Sequence, residues 1–571
     1  MEYSAIFHDM DKRFCYAIDK DLFVIRVQVK KDDMKEVILH YEDKYIPMEC
    51  KDTRMTLPMK KVATSQFHDY YEAQLQMHLI CLRYFFEFTD MQGEKVYYGN
   101  YEFDKECITN RDRMFDCPQN LREEEMFEVP QWAANKVVYQ IFPSRFAATQ
   151  PVDKELWYKA PITPMDDLHG NLRGIIEHLD YIKDLGIDVV YLTPIFKSNS
   201  CHKYDTIDYY QVDPSFGTTE DLKELVQKSH ERGMKVVLDA VYNHSGREFF
   251  AFQDILEKGE KSKYLDWYFI DELPPKSEWG EIPNFKCFGY YGGMPKLNLK
   301  NPEVEKYITD VACYWIKECD IDGWRLDVGD EISHFFWKNF RKAIKAVKKD
   351  MLIIGEIWHY AGDFLEGDEW DTVMNYPFYL NLIDLLADEK INVSQFVQNL
   401  GYLKGRLNKK CYPLMWNLID SHDTARFLHL CHDNKKKQHL AAAFQLLLPG
   451  MPMVYYGDEY AMPGANDPDC RRGMYWDEEY QDKEMYNWYK KLMQIRKAHA
   501  CIVEGEMIET ITNDDDTIVM IRKNGEETIA MLFNCGSSVK EFNEYAEKYN
   551  LLTDSAFDGK VDGLDAAVIV L

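Results

Sequence analysis

Eight short apolar runs, each followed by a stretch of helical period, constrain this chain more than any other feature. They are VVYQIF at 137, VVYLTPI at 189, VVLDAVY at 236, GWRLDV at 323, LIIGEIW at 352, TVMNYPF at 372, MWNLID at 415 and MPMVYYG at 451. Short apolar runs suit strands buried on both faces, and strands that alternate with amphipathic helices pair in parallel through crossover connections. Thr219 to Arg232, with Gly233 as its C-cap, and Glu331 to Lys349, basic toward its end, are helices of this kind. Eight repeats over roughly 350 residues predict an α/β fold, a (β/α)8 TIM barrel longer than the usual ~250 residues.

The rest of the 571 residues is arranged around that barrel. Residues 1–125 hold strand-like runs at Leu22–Val29, Glu36–Tyr41 and Ile80–Phe88 and read as an N-terminal β-sandwich module. The catalytic barrel is expected over 126–500. Its extra length falls between the third and fourth strands, where residues 243–300 carry Pro, Gly and aromatics without a helical period and predict a long loop or small subdomain over the barrel mouth. From 501 to 571, TIVMIRK at 517, TIAMLF at 528 and the closing AAVIVL predict a C-terminal β-sandwich domain.

Charge and cysteine usage narrow the partners. A formal charge of -29 repels phosphate backbones and anionic membrane surfaces, so nucleic acid and membrane are excluded and a neutral carbohydrate fits better. The 14 cysteines form no C-x-x-C pair and no metal-like cluster with histidine. With no basic-then-apolar leader and no ~18-residue apolar window, the protein is expected to be cytoplasmic.

In a barrel the working residues stand at the C-terminal ends of strands. Polar residues inside the apolar runs are therefore the candidates: DAVYNH at 239–244, GWRLD at 323–327, GEIW at 355–358 and DSHD at 420–423. Strand alternation puts Arg325 beside Asp327, where a guanidinium would hold the carboxylate ionised, as a nucleophile requires. Glu356 follows the apolar LIIG, whose burial would raise its pKa and suit a general acid. Each of these carboxylates alone is as often a structural ion pair as a catalytic group, and Asn243, His244 and His422 alone are more often structural. Four such ends in sequence order shift that balance.

Those four segments resemble the signature segments of the alpha-amylase family of glycoside hydrolases. MPKLN at 294–298 resembles the fifth signature of the neopullulanase, cyclomaltodextrinase and maltogenic amylase subfamily, and HKYDTIDYY at 202–210, YYGDE at 455–459 and NDPDCRR at 466–472 are similar to that group. The resemblance implies a retaining hydrolase of alpha-1,4 and some alpha-1,6 bonds in cyclomaltodextrins, maltooligosaccharides, pullulan and starch fragments, with transglycosylation as a side reaction. It assigns Asp327 as nucleophile, Glu356 as acid/base and Asp423 as the third carboxylate. Arg325, His244 and His422 would brace the sugar at the cut, Asp239 would order that network and Tyr204 would stack on the same ring. Asp467 and Arg471 would hold the next glucose outward, and Trp358 and Glu331 would face the leaving group.

The resemblance implies no cofactor for the chemistry. Family members often bind calcium through an Asn- and Asp-rich stretch and a GGDL segment; here FAATQPVD at 146–153 and HGNL at 169–172 lack most of those carboxylates. The loop VGDE at 328–331 also departs from the subfamily's usual Ala and Asn. A homodimer, built through the N-terminal module, follows from the subfamily alone. The competing readings are an oligo-1,6-glucosidase of the same family, which would resemble a QPDLN-type fifth segment, and a catalytically inactive glucan-binding barrel, against which the three carboxylates stand.

Overall fold

The computed structural model describes residues 1–47, 54–76, 80–100, 102–118, 126–278, 281–512 and 514–571. Each of the eight apolar runs contributes a parallel strand: β1 (Val138–Ile141), β2 (Val189–Leu192), β3 (Lys235–Ala240), β4 (Gly323–Leu326), β5 (Leu352–Gly355), β6 (Thr372–Val373), β7 (Trp416–Asn417) and β8 (Met451–Tyr455). They pair in the order β6-β5-β4-β3-β2-β1-β8-β7. A parallel bridge between Met374 and Trp416 joins the two ends, so the sheet closes as a barrel.

Local chemistry sets the boundaries of these elements. The helix Thr219–Glu231 begins with a capping box, in which the Thr218 side chain and Asp221 satisfy each other's backbone N–H groups, and ends at Arg232. Gly233 follows at φ +69°, the left-handed turn that a residue without Cβ makes at low cost. The second anticipated helix is shorter than expected, His334–Val347, because Ser333 caps it and Gly329–Glu331 form a separate 3-10 turn. β6 stops after two residues for a similar reason: the Asn375 side chain caps a helix over Tyr376–Leu382 with Pro377 in its first turn. Within the 243–300 segment, Phe250–Lys258 forms a helix that buries Ala251, Phe252 and Ile255, a period the sequence did not show.

By contacts the chain forms two compact units. One comprises Met1–Val129 with Tyr360–Asp371 and Ser394–Tyr412. In it a four-stranded sheet (Cys15–Ala17, Leu22–Lys30, His68–Gln76, Lys60–Thr64) accompanies a sheet built on Met34–Asp43 and Cys81–Asp90. Ile25, Val27, Leu39, Leu82, Phe86 and Phe88 share one apolar core. The expected boundary at residue 125 lies outside the described residues. The short segments 360–371 and 394–412, expected within the barrel, group with this unit: Arg26 donates to the carbonyls of Gly405 and Leu407, both at 2.9 Å. The other unit holds the barrel and the C-terminal strands, where Thr517–Asn524, Glu527–Asn534 and Asp565–Val570 pair antiparallel over Val519, Leu532 and Ile569.

Candidate active site

β4 opens on Gly323, where a Cβ would come within 2.8 Å of the Leu352 carbonyl, so glycine lets β5 pair closely. Two residues on, Arg325 is fully buried. Its Nη1 donates to Asp239 Oδ1 and Oδ2 at 3.0 and 3.1 Å and to Asp327 Oδ1 at 2.9 Å. Its Nη2 lies 2.8 Å from Glu356 Oε2 and 3.9 Å from Asp423 Oδ2. One guanidinium thus faces four carboxylates contributed by β3 and the turns after β4, β5 and β7.

A hydrogen-bonded relay runs beside this hub. The Gln140 amide donates to His422 Nδ1 at 2.7 Å, which places the imidazole proton on Nε2. Nε2 faces Tyr204 Oη, and lies 3.2 Å from Asp423 Oδ2. Tyr204 Oη–H donates to Asp239 Oδ2 at 3.1 Å, and Tyr191 donates to the same oxygen at 2.7 Å. The Tyr204 and His422 rings lie parallel, centroids 5.5 Å apart.

Burial and charge count decide the protonation states. Burial, with the Glu356 charge, outweighs Arg325 and pushes Asp239 up to about 6. Burial also raises Asp327, and the charges of Glu356, Asp239 and Asp423 add to it against Arg325. Glu356 is raised by burial and by Asp423. Arg325 therefore does not hold Asp327 ionised by itself, as the sequence reading expected, because its charge is shared. Burial and mutual repulsion thus raise Asp239, Asp327 and Glu356 together, and the proton they favour belongs to the coupled cluster. His422 is held neutral by burial and by the nearby Arg471 and Arg325 charges.

The two oxygens of Glu356 are inequivalent. Oε2 accepts the Val328 N–H at 3.0 Å, and Oε1 faces Trp358 Nε1 at 3.3 Å. Trp358 is half-exposed and stacks on Tyr376, centroids 4.0 Å apart. Glu331 pairs with Lys296 Nζ at 2.8 Å. His244 stacks on Phe288 and is pushed down to about 3 by burial and the Lys296 charge. Arg471 donates to the His422 carbonyl at 2.8 Å and reaches Asp423 Oδ1 at 3.4 Å and Asp467 Oδ1 at 2.8 Å.

All twelve anticipated residues thus belong to one connected region. Asp239, Arg325, Asp327, Glu356, Asp423, His422 and Tyr204 form its centre; Asp467 and Arg471 extend one side, and Trp358, Glu331 and His244 another. Sequence reading missed Gln140, Lys296 and Val328. Gln140 is the one polar residue of its run and Lys296 sits inside MPKLN, so both carried a signal. Val328 carried none, since its importance lies in a backbone angle. Among the described residues no group of three or more His, Cys, Asp or Glu could hold a metal ion.

Residues 140–505 match the alpha amylase catalytic domain and residues 1–119 the alpha amylase N-terminal ig-like domain. The chain is 40% identical over 574 residues to a cyclomaltodextrinase of Geobacillus thermopakistaniensis, covering 99% of this chain and 97% of that one. It is 37% identical over 552 residues to an intracellular maltogenic amylase of Bacillus subtilis, covering 95% and 93%. A solved cyclomaltodextrinase structure superposes with a TM-score of 0.94 at 37% identity over 100% of both chains.

Proposed function

The chain belongs to the alpha-amylase family of glycoside hydrolases, and from that premise we propose that it hydrolyses alpha-glucosidic bonds of cyclomaltodextrins and short maltooligosaccharides with retention. Arg325 carries this reading, because it gathers Asp327 and Glu356 about one point while Asp423 stands beside them. Asp327 attacks the anomeric carbon as Glu356 protonates the leaving oxygen through Oε1. Glu356, now a carboxylate, draws a proton from water, which opens the glycosyl ester. Asp423, 29% exposed and bonded to His422 and Arg471, is placed to grip sugar hydroxyls.

No metal takes part in this reading. At the stretches that correspond to the family's calcium segments, Asp153 accepts from the N–H of Glu155 as a helix cap. Asn171 accepts from Gly174 N–H and donates to Thr149. That donor set does not fit a calcium ion. A cytoplasmic setting is supported by the likeness to the intracellular Bacillus subtilis enzyme, and a homodimer joined through the N-terminal sandwich is the assembly the subfamily suggests.

Product analysis on beta-cyclodextrin, pullulan, soluble starch and panose, with and without a chelator, tests the proposal. Fast opening of beta-cyclodextrin, slow attack on starch and indifference to the chelator are expected. Glucose released only from panose and isomaltose would transfer the protein to the oligo-1,6-glucosidase branch.

A further inference from the structure

Val328, next to the nucleophile, has φ +46° and ψ +46°. A β-branched residue avoids this left-handed region, and it persists only where the surroundings fix it. Its amide is what binds Glu356 Oε2. The turn it opens is held from three sides: Gly329 N–H donates to the Glu356 carbonyl at 3.3 Å, Trp337 Nε1 donates to the Gly329 carbonyl at 2.9 Å, and Lys296 Nζ donates to the Glu331 carbonyl at 3.3 Å and to its Oε2 at 2.8 Å.

The same Nζ also donates to Asn243 Oδ1, just past β3. Three ammonium hydrogens meet three acceptors, so the lysine is fully spent. Its backbone is fixed as well. Lys296 N–H donates to the Lys286 carbonyl at 3.0 Å, Leu297 N–H donates to the Asn243 carbonyl at 3.0 Å, and Lys296 forms an antiparallel bridge with His244. One side chain therefore ties the end of β3 to the turn that carries the strained amide.

Building on the hydrolase reading above, we propose that Lys296 is a positioning residue for the general acid: it pins the Val328–Glu331 turn so that the Val328 N–H stays on Glu356 Oε2. Oε2 takes the Val328 N–H at 3.0 Å and lies 2.8 Å from Arg325 Nη2, whereas Oε1 accepts only the longer bond from Trp358 Nε1 at 3.3 Å, so the carboxyl proton resides on Oε1, the oxygen that serves the leaving group. Released from Lys296, the turn relaxes toward an ordinary backbone angle and the proton loses its fixed position. The cost falls on steps that need protonation of the leaving group and spares those that do not.

Turnover of Lys296→Met is compared with wild type on beta-cyclodextrin, which needs the acid, and on alpha-maltosyl fluoride, whose fluoride departs with little help. The expected result is a kcat loss of about tenfold or more on beta-cyclodextrin, with KM nearly unchanged, and a loss under about threefold on the fluoride. Equal losses on both substrates, or none on either, would overturn the inference. If Lys296→Met does not fold, Lys296→Gln, polar but one atom shorter and without the charge that pairs with Glu331, carries the same comparison. Wild-type protein inactive on both substrates would instead sink the hydrolase reading, so the two failures are distinct.

Discussion

The two ends of β4 carry the same ingredients in opposite proportion. Just before the strand, Asp322 is fully buried and takes hydrogen bonds from His230 Nε2 at 2.7 Å, Lys235 Nζ at 2.9 Å, Lys348 Nζ at 3.0 Å and the Val236 N–H at 3.0 Å. At its other end one arginine faces Asp239, Asp327, Glu356 and Asp423. Burial acts to push Asp322 up, and it does the same to Asp239, Asp327 and Glu356. At Asp322 the His230 hydrogen bond and the lysines outweigh burial and bring it down to about 2, whereas Asp239 stays up at about 6. Burial alone therefore does not mark a working carboxylate. A surplus of cations makes a structural lock, and a shortage makes a group whose proton can move.

Asp327→Asn should break the reactive end alone. The expected outcome is a kcat loss on the order of 10⁴-fold or more, with the thermal midpoint unchanged or raised, because a like charge has left the cluster. Substantial residual turnover in a rigorously wild-type-free preparation would remove Asp327 from its role. Glu356→Gln sharpens the division of labour at that end. Its loss on natural glucans is expected at roughly 10³-fold, with partial activity kept on an aryl glucoside bearing a good leaving group. Equal losses on both would argue against an acid.

Asp322→Asn inverts the pattern. Folded protein should turn over within about twofold of wild type, while unfolding in urea should show a loss of about 3–5 kcal/mol, since two lysines lose their anion and the His230 N–H its charged acceptor. A variant as stable as wild type would mean that the lock is ornamental. The pH dependence follows the same contrast. Asp322 is depressed in the folded state, so its contribution is complete above the unfolded value of ~3.9 and fades as pH falls toward about 2. Asp239 is raised to about 6, so the folded protein takes up its proton first and gains stability as pH falls from 7 toward 4. Relative to Asp239→Asn, the wild-type thermal midpoint should rise over that range; parallel curves would place the proton elsewhere.

Much of this was legible in the chain because the apolar runs and the charged residues that interrupt them are side-chain signals. GWRLD showed the strand, the buried guanidinium and the carboxylate beside it. What the sequence did not show is how many partners Arg325 has, since Asp239 and Glu356 reach it from neighbouring strands across 86 and about 30 residues of chain. The helix at Phe250–Lys258 was hidden because it is short and flanked by aromatics that pack in other ways. Val328 was hidden for a deeper reason: valine favours extended backbone, and only the surrounding bonds force it to φ +46°.

Retention through Asp327 is tested most directly by incubating Glu356→Gln with alpha-maltosyl fluoride and mapping the adduct by peptide mass spectrometry. The fluoride leaves without an acid, and the variant lacks the base that would release the sugar. A maltosyl ester on the peptide containing Asp327 is the expected result; an unmodified Asp327 together with free maltose of inverted configuration would contradict it.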